Sequence, residues 1–478
     1  MNDRAVVVGG GLAGLAAATV LAERGVPVTV LERERFLGGR AGSWSDTLND
    51  GTTFEMERGF HAFFRQYYNV RSLLRRVDPD LACLVPLADY PLLGPNGWAE
   101  SFAGLPRRAP LNLMTLMWRT PSMRLTDVLK LHMKAAQEMV AFDPAQTYAR
   151  WDDVTAQTYL DSLRFPPRAR RMLFDVFAHS FFNPEEQYSA AELLAMFHFY
   201  FLGNPEGLVF DVLRKPFGKA LFEPLQRWLQ ERGVELRLGT SVENVTRHDG
   251  AFRVHVAGGE PVEGGAVILA TAVPALQGIV ARSPELGGPR FHEEVASLGV
   301  TNRFAVLRLW LDRPLRADRA PFAGTSGIGI LDNISIYEKL EDESAAWAER
   351  TGGTIVELHA YALEDAVGDD EARRRLIDDL YAVYPEAKSA TILEERLLVR
   401  RDCPSFAPGS HAKRPGVVTD TAGLLLAGDF VKLPFPSALM ERAVTSGFLA
   451  ANAILRKRGL REEDVRTIPP RGMLAKSA

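Results

Sequence analysis

Three valines, Val6-Val7-Val8, run into a glycine turn, Gly9-Gly10-Gly11-Leu12-Ala13-Gly14, and the next apolar run, Val26 to Leu31, ends on Glu32. This order predicts a strand, a tight turn, a helix and a second parallel strand with an acid at its tip. Gly9 permits the turn, Gly11 lets backbone approach a pyrophosphate, and Gly14 lets the helix pack on the strand. The helix N-terminus supplies free N–H groups and partial positive charge for phosphates. Glu32 can accept both hydroxyls of an adenosine ribose. A strand–helix turn without a ligand explains neither the three successive glycines nor the placement of the acid. The expected fold is α/β, with a Rossmann-type dinucleotide domain and Gly9, Gly11, Ala13, Gly14, Glu32 and Arg33 at the cofactor.

A second loop comes next, Leu37-Gly38-Gly39-Arg40. Gly39 offers another close backbone approach, and Arg40 a bidentate fork for the pyrophosphate. A simple NAD domain has no need of it, so FAD is expected. Glu32 with Leu37-Gly38-Gly39-Arg40 resembles the second motif of the amine-oxidase and carotenoid-desaturase group of FAD flavoproteins. Leu424-Leu425-Leu426-Ala427-Gly428-Asp429, followed by Pro436-Ser437-Ala438-Leu439-Met440-Glu441, resembles that group's C-terminal flavin motif. The resemblance implies that Gly428 and Asp429 meet the ribityl–phosphate part of FAD and that Val242 lies against the adenine. It also implies that Ala438, Leu439 and Met440 bring the N-terminus of a final helix to the flavin. A helix dipole there favours an anionic reduced flavin.

The chain has 478 residues, enough for two or three domains, and a net charge of −4, which gives no sign of a nucleic-acid partner. Its two cysteines, Cys83 and Cys403, argue against a disulfide framework or a metal cluster and for a reducing, cytoplasmic setting. Residues 1–75, 220–285 and 406–460 are expected to form a discontinuous FAD-binding domain. Residues 76–219, read as mostly helical, and 286–405, with alternating strands and a helix near Asp370 to Tyr384, are expected to form a substrate domain with a helical lid. Residues 461–478 read as a loose tail.

Two stretches, Ala178-His179-Ser180-Phe181-Phe182 and Leu194 to Leu202, are dense in aromatics. They suit either a packed helical core or the wall of an apolar tunnel for a small apolar substrate. Leu111-Asn112-Leu113-Met114-Thr115-Leu116-Met117-Trp118, flanked by Arg107, Arg108, Arg119 and Arg124, suits either a buried helix or one lying on a membrane surface.

Further segments narrow the resemblance: Arg58 to Asn69, Met196 to Asp211, Leu331-Asp332-Asn333-Ile334-Ser335, His359-Ala360-Tyr361 and Asp402 to Phe406. They are similar to the bacterial carotene desaturase/methyltransferase, or isorenieratene synthase, type. That likeness implies a carotenoid or related polyene as substrate. It also implies desaturation of a β-ionone end ring to an aromatic ring with a methyl shift. Electrons would then pass to oxygen or a quinone. Desaturation needs hydride transfer to the flavin and proton loss from the neighbouring carbon. A carboxylate in a dry pocket would favour the cation, which makes Asp332, Glu357 and Asp211 candidates. His61 is a candidate for tuning the flavin or relaying a proton. The alternatives are another polyene or terpenoid as substrate, an amine oxidase, or a non-redox FAD-dependent isomerase. No cysteine follows Gly428-Asp429, so the FAD is expected to be non-covalent.

Overall fold

A computed structural model describes residues 3–108, 110–120, 122, 127, 132–171, 174, 181–248 and 250–475. Arg124 and Ala178-His179-Ser180 lie outside the described residues.

Val6 and Val7 are fully buried, as a strand covered on both faces requires. Ala5–Val8 sits at the centre of a five-stranded parallel sheet, in the order Glu235–Arg237, Val28–Leu31, Ala5–Val8, Ala266–Leu269, Leu424–Leu426. Register places Val6 against Thr29 on one side and Val267 on the other, and Val267 against Leu424. All five strands therefore end at one edge. The residues just past their ends, Gly9, Glu32, Ala270-Thr271 and Gly428-Asp429, collect there, where parallel sheets bind their ligands.

Small side chains bring two helices onto this sheet. A Cβ on Gly447 would lie 2.2 Å from the Ala13 carbonyl oxygen. The glycine thus allows the final helix, Leu439–Lys457, to press against Leu12–Glu23 and deliver its own N-terminus to the same edge.

A seven-stranded sheet forms the second layer, in the order Ile392–Arg400, Arg303–Leu311, Thr354–Leu363, Asn333–Ile336, Phe322–Thr325, Leu92–Leu93, Ala99–Glu100. Alternation sorts its side chains. Leu307, Leu309, Val356 and Leu358 face one way and pack with Leu376 and Leu380 of the helix Asp369–Val383. Arg308, Glu357, His359 and Tyr361 alternate with them and share the other face.

Within 76–219, beside its helices, Leu92–Leu93 and Ala99–Glu100 form a hairpin that extends the large sheet. Its turn, Pro95-Asn96-Gly97, holds Asn96 at φ 58° and Gly97 at φ 74°, a hairpin signal in the sequence. The tail 461–475 has no helix or strand, yet it is pinned. The Arg466 N–H donates to Asn69 Oδ1 at 3.0 Å, and Ile468 is buried.

Candidate active site

The two glycine turns face one another. Gly9 has φ +112°, and a Cβ there would lie 2.5 Å from the Ala270 oxygen. A Cβ on Gly14 would lie 1.9 Å from the Gly9 oxygen, so Gly14 serves helix packing and does not line the cavity. Gly11 differs: its Cβ would meet nothing closer than Gly39 Cα at 3.9 Å, so the space beside it is open. The Gly38 N–H donates to the Gly10 oxygen at 2.8 Å and ties the turns together.

Gly11 precedes a helix with no side-chain cap and no acid in its first turn, so its leading N–H groups remain available to an anion. Glu32 accepts from the Gly10 N–H at 2.6 Å and the Glu34 N–H at 2.8 Å, which orients its carboxylate at the cavity wall. Arg40 reaches across to Asp429 Oδ1 at 2.5 Å.

These residues line one end of a cavity of about 630 Å³, within the size range of cofactor and small-molecule sites. Gly9, Gly11, Ala13, Glu32, Arg33, Gly39, Arg40, Val242, Gly428, Asp429, Leu439 and Met440 are on its wall. Gly14 and Ala438 are not; Ala438 is buried at the N-cap position of the final helix. Leu439 is held at φ 47°, a conformation that a leucine seldom adopts, where that helix meets the cavity. Thr271 Oγ1 and Asp402 Oδ1 are buried without a hydrogen-bond partner among the described residues, and both residues line the cavity. An open glycine cradle, uncapped helix ends and orphaned polar atoms are what a polar dinucleotide would complete, so the residues fit FAD.

The far end is apolar. Phe60 stacks on Phe322 at 4.4 Å and Tyr90 on Phe102 at 5.2 Å, with Phe210 edge-on to Phe60. The aromatic runs divide between the two roles open to them. Phe181, Phe182, Tyr200 and Phe201 line the cavity, whereas Phe197 and Phe199 are core and the His198 Nε2–H donates to the Pro469 oxygen at 2.8 Å.

The four candidate catalytic residues also divide. Asp332 and His61 line the cavity. The Asp332 carboxylate accepts from the Tyr361 backbone N–H. His61 Nδ1 lies 2.6 Å from the Gly59 oxygen and so carries the proton; burial brings the imidazole down to about 4, leaving it neutral and a poor proton carrier. Glu357 and Asp211 are off the wall. Glu357 is fully buried and bonded to Arg308 Nε at 2.8 Å. Asp211 is paired with Arg71 and lies 3.8 Å from Arg65. Each is matched by an arginine supplied from another part of the chain, and neither reaches the cavity. His359, Tyr361, Asn333 and Cys403 line the cavity although sequence reasoning assigns them no site role. The alternation of His359 and Tyr361 within a strand is the available signal. Burial pushes the Cys403 thiol up to about 11, which keeps it protonated.

Residues 12–455 match the family model described as flavin containing amine oxidoreductase. A carotenoid phi-ring synthase of Streptomyces griseus is 46% identical over 469 residues, covering 98% of this chain and 91% of that protein. A carotenoid phi-ring synthase of Chlorobaculum tepidum is 30% identical over 592 aligned residues, covering 99% and 91%. Putrescine oxidase bound to putrescine shares the fold, with a TM-score of 0.69 at 18% identity, covering 95% of this chain and 99% of that one. The chain belongs to the flavin-containing amine oxidoreductase family, and its cofactor is FAD.

Proposed function

We propose that this oxidoreductase desaturates a β-ionone end ring of a carotenoid to an aromatic ring, with migration of one methyl group. The 46% identity over nearly the whole chain to a protein named carotenoid phi-ring synthase carries the reading. The cavity supports it: one continuous space runs from the glycine turns to a wall of Phe60, Tyr90, Phe102, Phe210 and Phe322, which suits an apolar ring.

Bound FAD supplies a two-electron hydride acceptor. Gly11, Gly39, Glu32 and Arg40 hold and orient it. Phe60, Phe210 and Phe322 exclude water and present ring faces to positive charge as it develops on the substrate. Asp332 adds a fixed carboxylate on the same wall. His61, held neutral by burial, adds no positive charge of its own to the wall. Expression in a carotene-producing host tests the reading: an aromatic-ring carotenoid should appear, and unchanged host carotene would refute it. Peroxide release from simple amines would favour amine oxidation instead.

The same reading makes a membrane surface the source of substrate. Leu111, Met114 and Trp118 are 59%, 60% and 82% exposed on one face of the helix Leu111–Arg119, with exposed Arg107, Arg108 and Arg119 at its ends. Such a face suits the headgroup region of an anionic bilayer. Among the described residues no helix is long and apolar enough to cross a membrane. Oxygen or a quinone would take the electrons, and turnover in air against turnover with an added quinone separates the two.

A further inference from the structure

Strand register assembles a line of buried polar groups that ends at the cavity. Arg308 stands opposite Glu357, and Asn333 opposite His359. Glu357 Oε2 accepts from Arg308 Nε at 2.8 Å. Its Oε1 accepts from the Tyr337 hydroxyl at 3.0 Å and the Phe60 N–H at 3.1 Å, and lies 2.8 Å from His359 Nε2. Burial pushes this carboxyl up, but Arg308 and then the His359 N–H outweigh it and hold it down at about 2. Glu357 is therefore an anion already matched by one cation.

That anion fixes the imidazole. In the neutral ring, Nε2 carries the proton donated to Glu357 and Nδ1 keeps a lone pair. The Tyr361 hydroxyl, 2.7 Å from Nδ1, donates to it. Asn333 Nδ2 donates to the same phenol oxygen at 2.9 Å. Gly59 locks the ring in place, since a Cβ there would lie 2.6 Å from His359 Cε1. Tyr361 and His359 line the cavity, while Glu357 stands behind them.

We propose that Tyr361 takes the proton lost from the substrate, and that His359 and Glu357 position it and receive the charge. This rests on the carotenoid reading. After hydride departure to FAD the ring carries a carbocation. The C–H bond on the adjacent carbon breaks, its electron pair forms the C=C bond, and the proton bonds to the Tyr361 oxygen. The original Tyr361 O–H bond breaks in turn and its proton goes to His359 Nδ1. The step itself is redox-neutral. It leaves a neutral product and an imidazolium beside the Glu357 anion, and release of that proton to solvent resets the line.

The test compares wild type with Tyr361→Phe and His359→Gln holoenzymes on a β-ring carotene. Both variants should keep their FAD and melting temperature. In anaerobic single turnovers both should still reduce the flavin within a few-fold of wild type, while formation of the desaturated product falls by about 10²–10³-fold. On the protein without substrate, ¹⁵N NMR of His359 should show Nε2 protonated and Nδ1 bare, with the Nδ1 resonance moving in Tyr361→Phe. Product formation within threefold of wild type would overturn the proposal. Equal loss of flavin reduction and product, or a protonated Nδ1 at rest, would also overturn it. A wild type that changes neither the carotene nor its flavin would refute the carotenoid reading itself, and the proton assignment with it.

Discussion

The two ends of the cavity are built by opposite means. The cofactor end is shaped by missing side chains: Gly9, Gly11, Gly14 and Gly39 bring backbone within reach of a ligand or of another backbone. The substrate end is shaped by side chains that strands far apart in sequence place together, such as Arg308 with Glu357 and Phe60 with Phe322. A rule of local geometry governs the first. Long-range register governs the second. The same residue type can therefore be a ligand contact or a core ion pair at the substrate end, and only its neighbours decide.

The largest expected effect comes from two neighbouring glycines. Gly14→Ala places a methyl 1.9 Å from the Gly9 oxygen, so the helix must shift. Overpacking of this kind costs about 1–3 kcal/mol, and the variant should lose both its flavin and several degrees of melting temperature. Gly11→Ala meets no atom within 3.9 Å, so the apoprotein should melt like wild type while FAD affinity falls. Flavin absorbance and thermal unfolding of the apoprotein read both. Equal melting losses would mean that the open space beside Gly11 is not kept for a ligand.

A second contrast separates acids that look alike in the sequence. Asp211→Asn leaves Arg71 without its buried partner and should lower stability, as truncating a buried pair generally does, with turnover per bound flavin unchanged. Asp332→Asn should fold normally and lose turnover by about tenfold or more. Melting curves and steady-state rates on flavin-normalised protein check both, and the opposite pattern would exchange their roles.

This is also where legibility in the sequence stops. Val6-Val7-Val8, the glycine spacing and Glu32 announce a parallel sheet and a dinucleotide, because each glycine answers a local demand of the backbone. Glu357 reads as an acid beside apolar residues. Its pairing with Arg308 depends on which strands lie side by side, and no local pattern carries that. His359 and Tyr361 escape notice for the same reason: alternation in a strand says that they share a face, not that the face ends at a cavity. The hairpin at Pro95-Asn96-Gly97 is legible, and only the helical character of the residues after it draws attention away.

Behind the polar face, Glu57 and Glu341 supply a smaller, pH-dependent effect. Burial, with Glu341 nearby, pushes the Glu57 carboxyl up to about 8, and burial pushes Glu341 up to about 7. Unfolding returns both to ordinary values near 4.5, so the folded state binds more protons between that pH and about 8. Stability should therefore fall as pH rises through this window. His61 and His411, held down at about 4, act in the opposite sense below their ordinary 6.5. Glu441, pushed up to about 8 by burial, adds to the glutamate effect, which should accordingly stand clear from pH 6.5 to 8. Melting temperature should drop across that range in wild type and drop less in Glu57→Gln/Glu341→Gln. An unchanged slope would place those carboxyls in their ordinary ionised state.

The smallest effect lies outside the cavity. Wild type should float with anionic liposomes, and Leu111→Ser/Trp118→Ser should remain in the soluble fraction while retaining turnover on detergent-dispersed substrate. Wild type that stays soluble would remove the membrane from the account.

Anaerobic mixing of the purified holoenzyme with a β-ring carotene, followed at the flavin and in the extracted pigment, tests the central claim most directly. With enzyme in excess, two flavins should bleach for each aromatic end ring formed, because aromatisation removes two hydrides, and that ring should carry one migrated methyl group. An oxidised flavin beside unchanged carotene would contradict it, and so would ring isomerisation without flavin reduction.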